Sequence, residues 1–309
     1  MSSPVAEKSA NAPGEHLDRK AVRRAFERAA GTGGDELVVA AEIARRMAAR
    51  LDYVRLEPSH ILDAGCGRAM AAPLLAKRFP GATLTGVDAS FSTAKAARRG
   101  EPPLVRARRA LGIGANRNLV CGDIESLPVA GASVEMVWSN LALPWVQDAG
   151  LAFREFHRVL KEGGLLMFST YGPDTLCELR SAFAAVEPQL HVHEFIDMHD
   201  LGDLLLANGF AEPVMDMEKI VYTYADVPPM LRELHQSGQT NARLDRRRGL
   251  MGRSVWNAMQ AAYARRVEDA RIEATFEIVY GHAWKVRRRS RAGEFSGAAT
   301  VQWLPARKL

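Results

Sequence analysis

The stretch His60-Ile-Leu-Asp-Ala-Gly-Cys-Gly-Arg-Ala69, together with Leu84-Thr-Gly-Val-Asp88, carries the strongest fold signal in the chain. Each begins with an apolar run typical of a buried strand and reaches an acid, and the first then turns on two glycines. Because glycine has no Cβ atom, Gly65 and Gly67 allow a ligand to approach the backbone closely. An acid that ends the second strand can accept both hydroxyls of a ribose. Asp88 follows Gly67 by 21 residues, close to the roughly 20 typical of a βαβ nucleotide site.

The acid before the turn identifies the kind of nucleotide. Asp63 would repel a pyrophosphate, and the third glycine of a dinucleotide site is missing because position 70 is Met70. An acid there suits a ligand with a cationic ammonium group, which indicates S-adenosylmethionine. The stretch from Asp63 to Gly67 resembles the first motif of the class I methyltransferases, although Ala69 stands where many members have a third glycine.

Composition predicts a cytoplasmic protein. The chain has 309 residues, of which 47% are hydrophobic, enough for one large domain or a domain with an appendage. No apolar run approaches the roughly 20 residues of a membrane span, and Met1–His16 lacks the apolar core of a signal peptide. The three cysteines are far apart, and the pair His191 and His193 has no nearby ligand partners. We therefore expect reduced thiols, no metal and no membrane contact.

Basic residues occur in runs, although the net charge is only +5. The main runs are Arg106–Arg109, Arg246–Arg248 and Arg287–Arg291, and the first lies in a long basic loop over 100–117. Such runs are usually solvated surface, but together they suit an acidic partner such as an acidic carrier protein. No RNA-binding motif accompanies them, so we expect no nucleic acid.

Apolar periodicity predicts alternating strands and helices. Strands are expected at 60–64, 83–87, 118–121, 134–139, 165–170, 214–224 and 272–286. Helices are expected at 18–30, 35–51, 70–79, 91–99, 149–160, 173–186, 198–207, 229–236 and 254–266. This order predicts an α/β, Rossmann-like fold: a mostly parallel seven-stranded sheet with helices on both faces and a helical insertion before the last strand.

The same pattern divides the chain into parts. They are a disordered N-terminus over 1–17, an N-terminal helical arm over 18–50, a methyltransferase domain over 51–286 with a helical insertion on the substrate side at about 226–268, and a basic C-terminal tail over 287–309.

Candidate cofactor-binding residues follow the first four strands, because ligands of open α/β sheets bind beyond the carboxyl ends of the strands. The first strand would hold the methionine end, the second the ribose, the third the adenine and the fourth the region near the sulfonium. The candidates are Asp63, Gly65, Gly67, Asp88, Ala89, Asp123, Ile124, Asn140 and Leu141.

Later segments make the resemblance more specific, to the O-methyltransferases that act on malonyl-acyl carrier protein in biotin synthesis. The similar segments are Asp123-Ile-Glu-Ser-Leu-Pro128, Trp138-Ser-Asn-Leu-Ala142 with Trp145, Leu176-Cys-Glu-Leu-Arg180, Arg246-Arg-Arg-Gly249 and Tyr280-Gly-His-Ala-Trp284. The chain departs from the family at Pro144, where a polar residue is expected, and in the longer loop over 100–117.

The resemblance implies methyl transfer to the free malonyl carboxylate on the carrier. A carboxylate is already ionised at neutral pH, so we name no catalytic base. Arg180, Arg246 and Arg247 are candidates to orient this carboxylate, and Trp145 and Tyr171 are candidates to line a channel for the acyl arm. The basic loop and the run of arginines from Arg246 would dock the carrier.

Other functions are compatible with the same residues. Tyr171-Gly-Pro-Asp-Thr-Leu-Cys-Glu-Leu-Arg180 and Asp200-Leu-Gly-Asp-Leu-Leu205 also resemble a respiratory complex I assembly factor associated with arginine hydroxylation. A binding protein that keeps S-adenosylmethionine as a structural ligand and a methyltransferase acting on a small free acid are further alternatives. Turnover of S-adenosylmethionine separates the methyltransferases from the others.

Overall fold

The computed structural model describes residues 17–31, 38–99, 117–265 and 269–286. Within them lies a seven-stranded sheet with the order β3-β2-β1-β4-β5-β7-β6. Its strands are β1 His60–Ala64, β2 Thr83–Asp88, β3 Arg117–Cys121, β4 Val134–Asn140, β5 Leu160–Tyr171, β6 Ala211–Tyr224 and β7 Ile272–Trp284. The first five are parallel to one another, and β7 is antiparallel to both β5 and β6. The predicted fold class is therefore confirmed.

Helices cover both faces of the sheet. They are α1 Arg19–Gly31, α2 Val38–Arg50, α3 Ala72–Arg78, α4 Phe91–Arg99, α5 Ala149–Val159, α6 Cys177–Ala184, α7 Met198–Ala207, α8 Val227–Gln236 and α9 Arg253–Ala262. One apolar core contains residues of α2, α3, α6, α8 and α9, and a second lies on the other face with α5 and α7. Both β1 and β4 are buried between these layers, and their central side chains Ile61, Leu62, Met136 and Val137 are apolar on both faces.

Two predicted boundaries were wrong for local reasons. The strand predicted over 165–170 begins earlier, at Leu160: the register of β5 against β4 shifts over 161–164, and Gly163 has a positive φ of 77°. The bulge therefore lengthens the strand rather than ending it. The helix predicted over 173–186 begins only at Cys177, because Leu176 before it is left-handed, with φ 55°. A left-handed residue cannot belong to the helix that follows.

The helices α8 and α9 lie between β6 and β7 in sequence, at the position of the predicted insertion. The start of α1 is attached to the segment between them. Leu17 is buried and pairs with Arg243, and the amide of Asp18 donates to the carbonyl of Ala242 at 2.8 Å. Asp18 also caps α1, because its carboxylate accepts the amides of Lys20 and Ala21. This joins the N-terminal arm to the insertion.

Some sequence predictions lie outside the described residues: those for 1–16, for most of the basic loop at 100–116 and for the tail at 287–309. In the part of the chain that the structure describes, no helix is long and apolar enough to cross a membrane.

Candidate functional site

A cavity of about 540 Å³ opens at the carboxyl ends of the first four strands. Every residue that the sequence predicted to contact the cofactor lines it. These are Asp63, Gly65, Gly67, Asp88, Ala89, Asp123, Ile124, Asn140 and Leu141. They come together because parallel strands end at the same edge of the sheet.

The turn after β1 needs its two glycines for different reasons. Gly65 has φ 75°, and a Cβ atom on it would lie 2.3 Å from the Cβ of Ala142. Gly67 also has a positive φ, of 52°, but no atom lies within 4 Å of where its Cβ would be. Ala69 is left-handed as well, with φ 58°. The chain therefore has alanine where a glycine would fit with less strain.

Asp88 at the end of β2 holds this turn in place. Its Oδ2 accepts the amide of Gly67 at 2.9 Å, and its Oδ1 accepts the amide of Ser90 at 2.8 Å. Burial raises the pKa of Asp88, and these two hydrogen bonds oppose that effect. Each carboxylate oxygen keeps a lone pair for a further donor, so the group can also accept ligand hydroxyls.

Asp63 at the end of β1 is a buried acid without a donor. Its exposed fraction is 2%, and none of the described residues donates a hydrogen bond to its carboxylate. Burial raises the pKa of Asp63 to about 7, while Arg117 acts to lower it and Asp88 to raise it. A buried carboxylate is costly unless it is paired. The cavity therefore presents an acceptor that a bound cation would stabilise.

The third strand supplies one polar and one apolar group. The carboxylate of Asp123 accepts the amide of Glu125 at 2.9 Å, which fixes the turn, and Ile124 is buried against the cavity. Arg19 from α1 bonds to both acids, at 3.3 Å to Asp123 and 2.8 Å to Glu125. The first helix is thereby attached to the cavity wall.

At the end of β4, the side chain of Asn140 is held by two hydrogen bonds and the backbone of Leu141 is left-handed. The side-chain Nδ2 of Asn140 donates to the carbonyl of Ala40 in α2 at 3.0 Å, and its Oδ1 accepts the hydroxyl of Ser169 at 2.8 Å. Leu141 is left-handed, with φ 55°, and its amide donates to the carbonyl of Ser169 at 3.1 Å. Backbone strain of this kind is characteristic of functional sites.

Aromatic residues form the far side of the cavity. Trp145 packs edge-on against Phe26 of α1, with ring centroids 5.2 Å apart, and against His193 at the same distance. Burial and the nearby Arg243 lower the pKa of His193 to about 4, so this ring is neutral at neutral pH. The wall is consequently apolar and uncharged at this point.

Tyr171 at the end of β5 also lines the cavity, and its hydroxyl donates to Oε1 of Gln239 at 3.0 Å. Burial raises the pKa of Tyr171 well above its usual value, so it remains a donor. Among the described residues, no acceptor is within hydrogen-bond distance of the Gln239 side-chain NH₂. Gln239 therefore offers unused donors on the cavity wall.

The three predicted substrate arginines lie outside this cavity. Arg180 donates to the carbonyls of Pro173 and Thr175. Arg246 pairs with Asp18 at 3.0 Å. Arg247 pairs with Glu187 at 2.9 Å. Their roles toward a substrate remain predictions, because the structure engages each of them in contacts within the protein.

Two parts of the cavity wall contain residues that were not among the predicted site residues. The insertion contributes Gln236, Ser237 and Gln239, and α1 contributes a stripe that includes Val22 and Phe26. For α1 a signal exists, because its apolar residues recur at helical spacing on an otherwise basic helix. The insertion was expected on the substrate side, but no sequence pattern singles out these three residues, because their approach to the cavity depends on tertiary packing.

No group of three or more His, Cys, Asp or Glu side chains that suits a metal ion occurs among the described residues.

Comparison with known proteins places this site in context. A family model described as a methyltransferase domain matches residues 62–168. The chain is 46% identical to the malonyl-acyl carrier protein O-methyltransferase of Laribacter hongkongensis, over 94% of this chain and 97% of that protein. It is 44% identical to the protein of the same name from Gallionella capsiferriformans, over 87% of this chain and 91% of that protein.

Solved structures share the fold at low sequence identity. The YcgJ protein of Bacillus subtilis has a TM-score of 0.54 at 16% identity, covering 80% of this chain and 99% of its own. A putative methyltransferase from Bacillus halodurans has a TM-score of 0.53 at 15% identity, covering 78% and 99%. These similarities concern the architecture of the sheet and its helices.

Proposed function

The chain belongs to the malonyl-acyl carrier protein O-methyltransferase family, and we propose that it transfers a methyl group from S-adenosylmethionine to the free carboxylate of a malonyl group carried on acyl carrier protein. The product would be a malonyl methyl ester on the carrier. The observation that carries the proposal is the pairing of this family membership with a cavity whose acids suit a ligand that is cationic at one end.

The residues present fit S-adenosylmethionine. Asp63 is buried, faces the cavity and lacks a hydrogen-bond donor among the described residues, so an ammonium group would supply the missing partner. Asp88 has lone pairs left for ribose hydroxyls. Asp123 with Ile124 offers an acceptor beside an apolar surface, as an adenine requires. Gly65, Gly67, Ala89, Asn140 and Leu141 complete the proposed contacts.

When bound, this cofactor supplies an electrophilic methyl group on a positively charged sulfur. The acceptor carboxylate has a pKa of about 4 and is already ionised at neutral pH, so the protein has no proton to remove. What the chain contributes is alignment of the acceptor oxygen and exclusion of water, and alignment alone can lower a barrier by several kcal/mol. The cavity, which α1 lines with Val22 and Phe26, would serve both purposes.

Neutral donors suit the acceptor better than an arginine. A guanidinium held directly against the carboxylate would draw charge from the attacking oxygen. A hydrogen bond from a neutral amide is weaker, so it orients the carboxylate and withdraws less charge. Gln239 lines the cavity, and since Tyr171 occupies its Oε1, its NH₂ is the group that remains to donate to a carboxylate. We assign Gln239 the role of orienting the malonyl carboxylate, with Tyr171 as its positioning residue and Trp145 along the acyl arm.

The proposed substrate also implies a macromolecular partner and a cellular location. Acyl carrier protein is the proposed macromolecular partner, and the chain would act in the cytoplasm, where a carrier of fatty-acyl intermediates is found in bacteria. The names of the relatives support methyl transfer over the alternative of an assembly factor that hydroxylates arginine.

A coupled assay tests the proposal. Purified protein is incubated with S-adenosylmethionine and either malonyl-carrier, acetyl-carrier or no acceptor, and S-adenosylhomocysteine is measured over time. We expect turnover with malonyl-carrier alone, since acetyl-carrier lacks the free carboxylate. Tight cofactor binding without turnover on any acceptor would refute the proposal and favour the assembly-factor alternative.

A further inference from the structure

One helix beside the cavity carries a stripe of basic side chains. Lys20, Arg24 and Arg28 of α1 are spaced four residues apart, which places them on one face of the helix. All three side chains are exposed. Among the described residues, none forms a hydrogen bond or an ion pair with these side chains. We call these three residues the α1 stripe.

The α1 stripe does not serve the stability of the helix. Like charges four residues apart on a helix repel each other and destabilise it. On α1 the only acid is Glu27, and it pairs with Arg23 at 2.9 Å rather than with a member of the stripe. Unrelieved repulsion of this kind is offset when an acidic surface binds across the stripe.

The position of α1 connects the stripe to the chemistry. The other side of the same helix lines the cavity with Val22 and Phe26, and Lys20, Arg19 and Arg23 lie at the cavity rim. A macromolecule bound along the outer face of α1 would therefore rest at the entrance through which a tethered acyl group must pass.

The other basic candidates are less suited to this role. Arg246 and Arg247 are engaged by Asp18 and Glu187 within the protein. Docking on them would require these ion pairs to break, whereas the α1 stripe forms no ion pair within the part of the chain that the structure describes.

We propose that the α1 stripe is the docking surface for acyl carrier protein, which presents an acidic face around its acyl-bearing arm. This inference rests on the proposed function, because it takes the carrier as the substrate. Docking here orients the arm so that the malonyl group passes beneath α1 toward Trp145 and Gln239. Charge complementarity at the rim then acts mainly on the rate of association.

The test compares charge reversals on two faces of the molecule. Arg24→Glu, Arg28→Glu and the double variant change the stripe without touching cavity-lining residues. Arg154→Glu is the matched control, because Arg154 is also exposed but lies on α5, which packs into the second core and does not line the cavity. Each variant is assayed with malonyl-carrier and with the small malonyl thioester of N-acetylcysteamine, which has the same free carboxylate but no carrier protein.

We expect the double stripe variant to raise KM for malonyl-carrier about tenfold at low salt, with kcat unchanged. The small thioester should react at the wild-type rate, and Arg154→Glu should match wild type on both substrates. Raising the salt concentration should raise the KM of the wild type for malonyl-carrier toward that of the stripe variants.

Several outcomes would overturn the inference. An unchanged KM for malonyl-carrier in the stripe variants would do so, as would an equal loss in Arg154→Glu or an equal loss on the small thioester. Binding of wild type but not stripe variants to anionic phospholipid vesicles, with no effect on carrier kinetics, would assign the stripe to a membrane instead. If wild type methylated neither substrate, the proposed function itself would have failed.

Discussion

The backbone amide of Gly67 donates a hydrogen bond to the carboxylate of Asp88 at 2.9 Å, which ties the turn after β1 to the end of β2. The second carboxylate oxygen accepts the amide of Ser90 at 2.8 Å. One acid thus fixes two backbone segments and still faces the cavity. The geometry of the candidate cofactor site therefore depends on Asp88 accepting a hydrogen bond at each of its carboxylate oxygens.

Asp88→Asn should therefore weaken cofactor binding by about 10- to 100-fold, because an amide can accept only one of these two N–H groups and turns its own NH₂ toward the other. Isothermal titration calorimetry with S-adenosylhomocysteine measures the Kd. Asp52→Asn is the control, since Asp52 is exposed and remote from the cavity wall. A Kd within twofold of wild type for Asp88→Asn would contradict the assigned role.

Asp63→Asn should stabilise the cofactor-free protein while weakening cofactor binding. The folded pKa of about 7 lies above the usual 3.8, so the folded protein binds more protons than the unfolded chain between these values. Stability is accordingly lost as the pH rises from about 4 to about 7. This difference in pKa corresponds to about 4 kcal/mol in the free energy of unfolding of the wild type. Because the variant buries an unpaired amide, which is itself unfavourable, its net gain in stability should be about 1–2 kcal/mol.

Urea unfolding of wild type and Asp63→Asn at pH 5 and pH 8 checks this prediction. The variant should be the more stable protein at pH 8 and the less stable one at pH 5, because the wild type gains roughly 3 kcal/mol on protonation of Asp63 between these pH values. Calorimetry should show that its affinity for S-adenosylmethionine is lower at pH 8. If the difference in stability between wild type and Asp63→Asn were the same at both pH values, Asp63 would not be an uncompensated buried acid.

Ala69→Gly tests the left-handed backbone of the turn. Ala69 has φ 58° and Ala71 has φ −73°, and both side chains are buried. Both glycine variants lose a buried methyl group and gain freedom in the unfolded chain, but only Ala69→Gly relieves a strained conformation. Its free energy of unfolding should exceed that of Ala71→Gly by about 1–2 kcal/mol. Equal values for the two variants in chemical denaturation would argue against strain at Ala69.

The Tyr171–Gln239 hydrogen bond predicts a coupled effect on turnover. Gln239→Leu removes the donor proposed to orient the acceptor, and Tyr171→Phe releases its positioning contact. Each should lower kcat/KM for malonyl-carrier about tenfold, and the double variant should be little worse than Gln239→Leu alone. The Kd for S-adenosylhomocysteine should not change. Fully additive losses, or a matching loss of cofactor affinity, would exclude this role.

Much of the fold and of the cofactor side was predictable from the sequence. Apolar runs that end in Asp63, Asp88 and Asn140 belong to parallel strands, and parallel strands bring their carboxyl ends to one edge. Local patterns at each strand were therefore enough to group these residues, and the structure places them along one cavity.

The substrate side could not be predicted in the same way. Gln239 reaches the cavity only because the insertion packs over β5 and contacts Tyr171, and a contact between residues 68 positions apart leaves no local pattern. Arg246 is conspicuous in sequence but pairs with Asp18, which lies 228 positions away. A run of basic residues shows where positive charges occur in the sequence, whereas tertiary packing decides which of them form ion pairs within the protein.

The most direct test of the central claim follows the methyl group itself. The protein is given S-adenosylmethionine with a deuterated methyl group and malonyl-carrier, and tandem mass spectrometry locates the label. We predict that the intact deuterated methyl is found as an ester on the distal malonyl carboxylate, and that Asp88→Asn slows its appearance. Label on a carrier side chain, or an unlabelled malonyl group after complete consumption of the cofactor, would contradict the account.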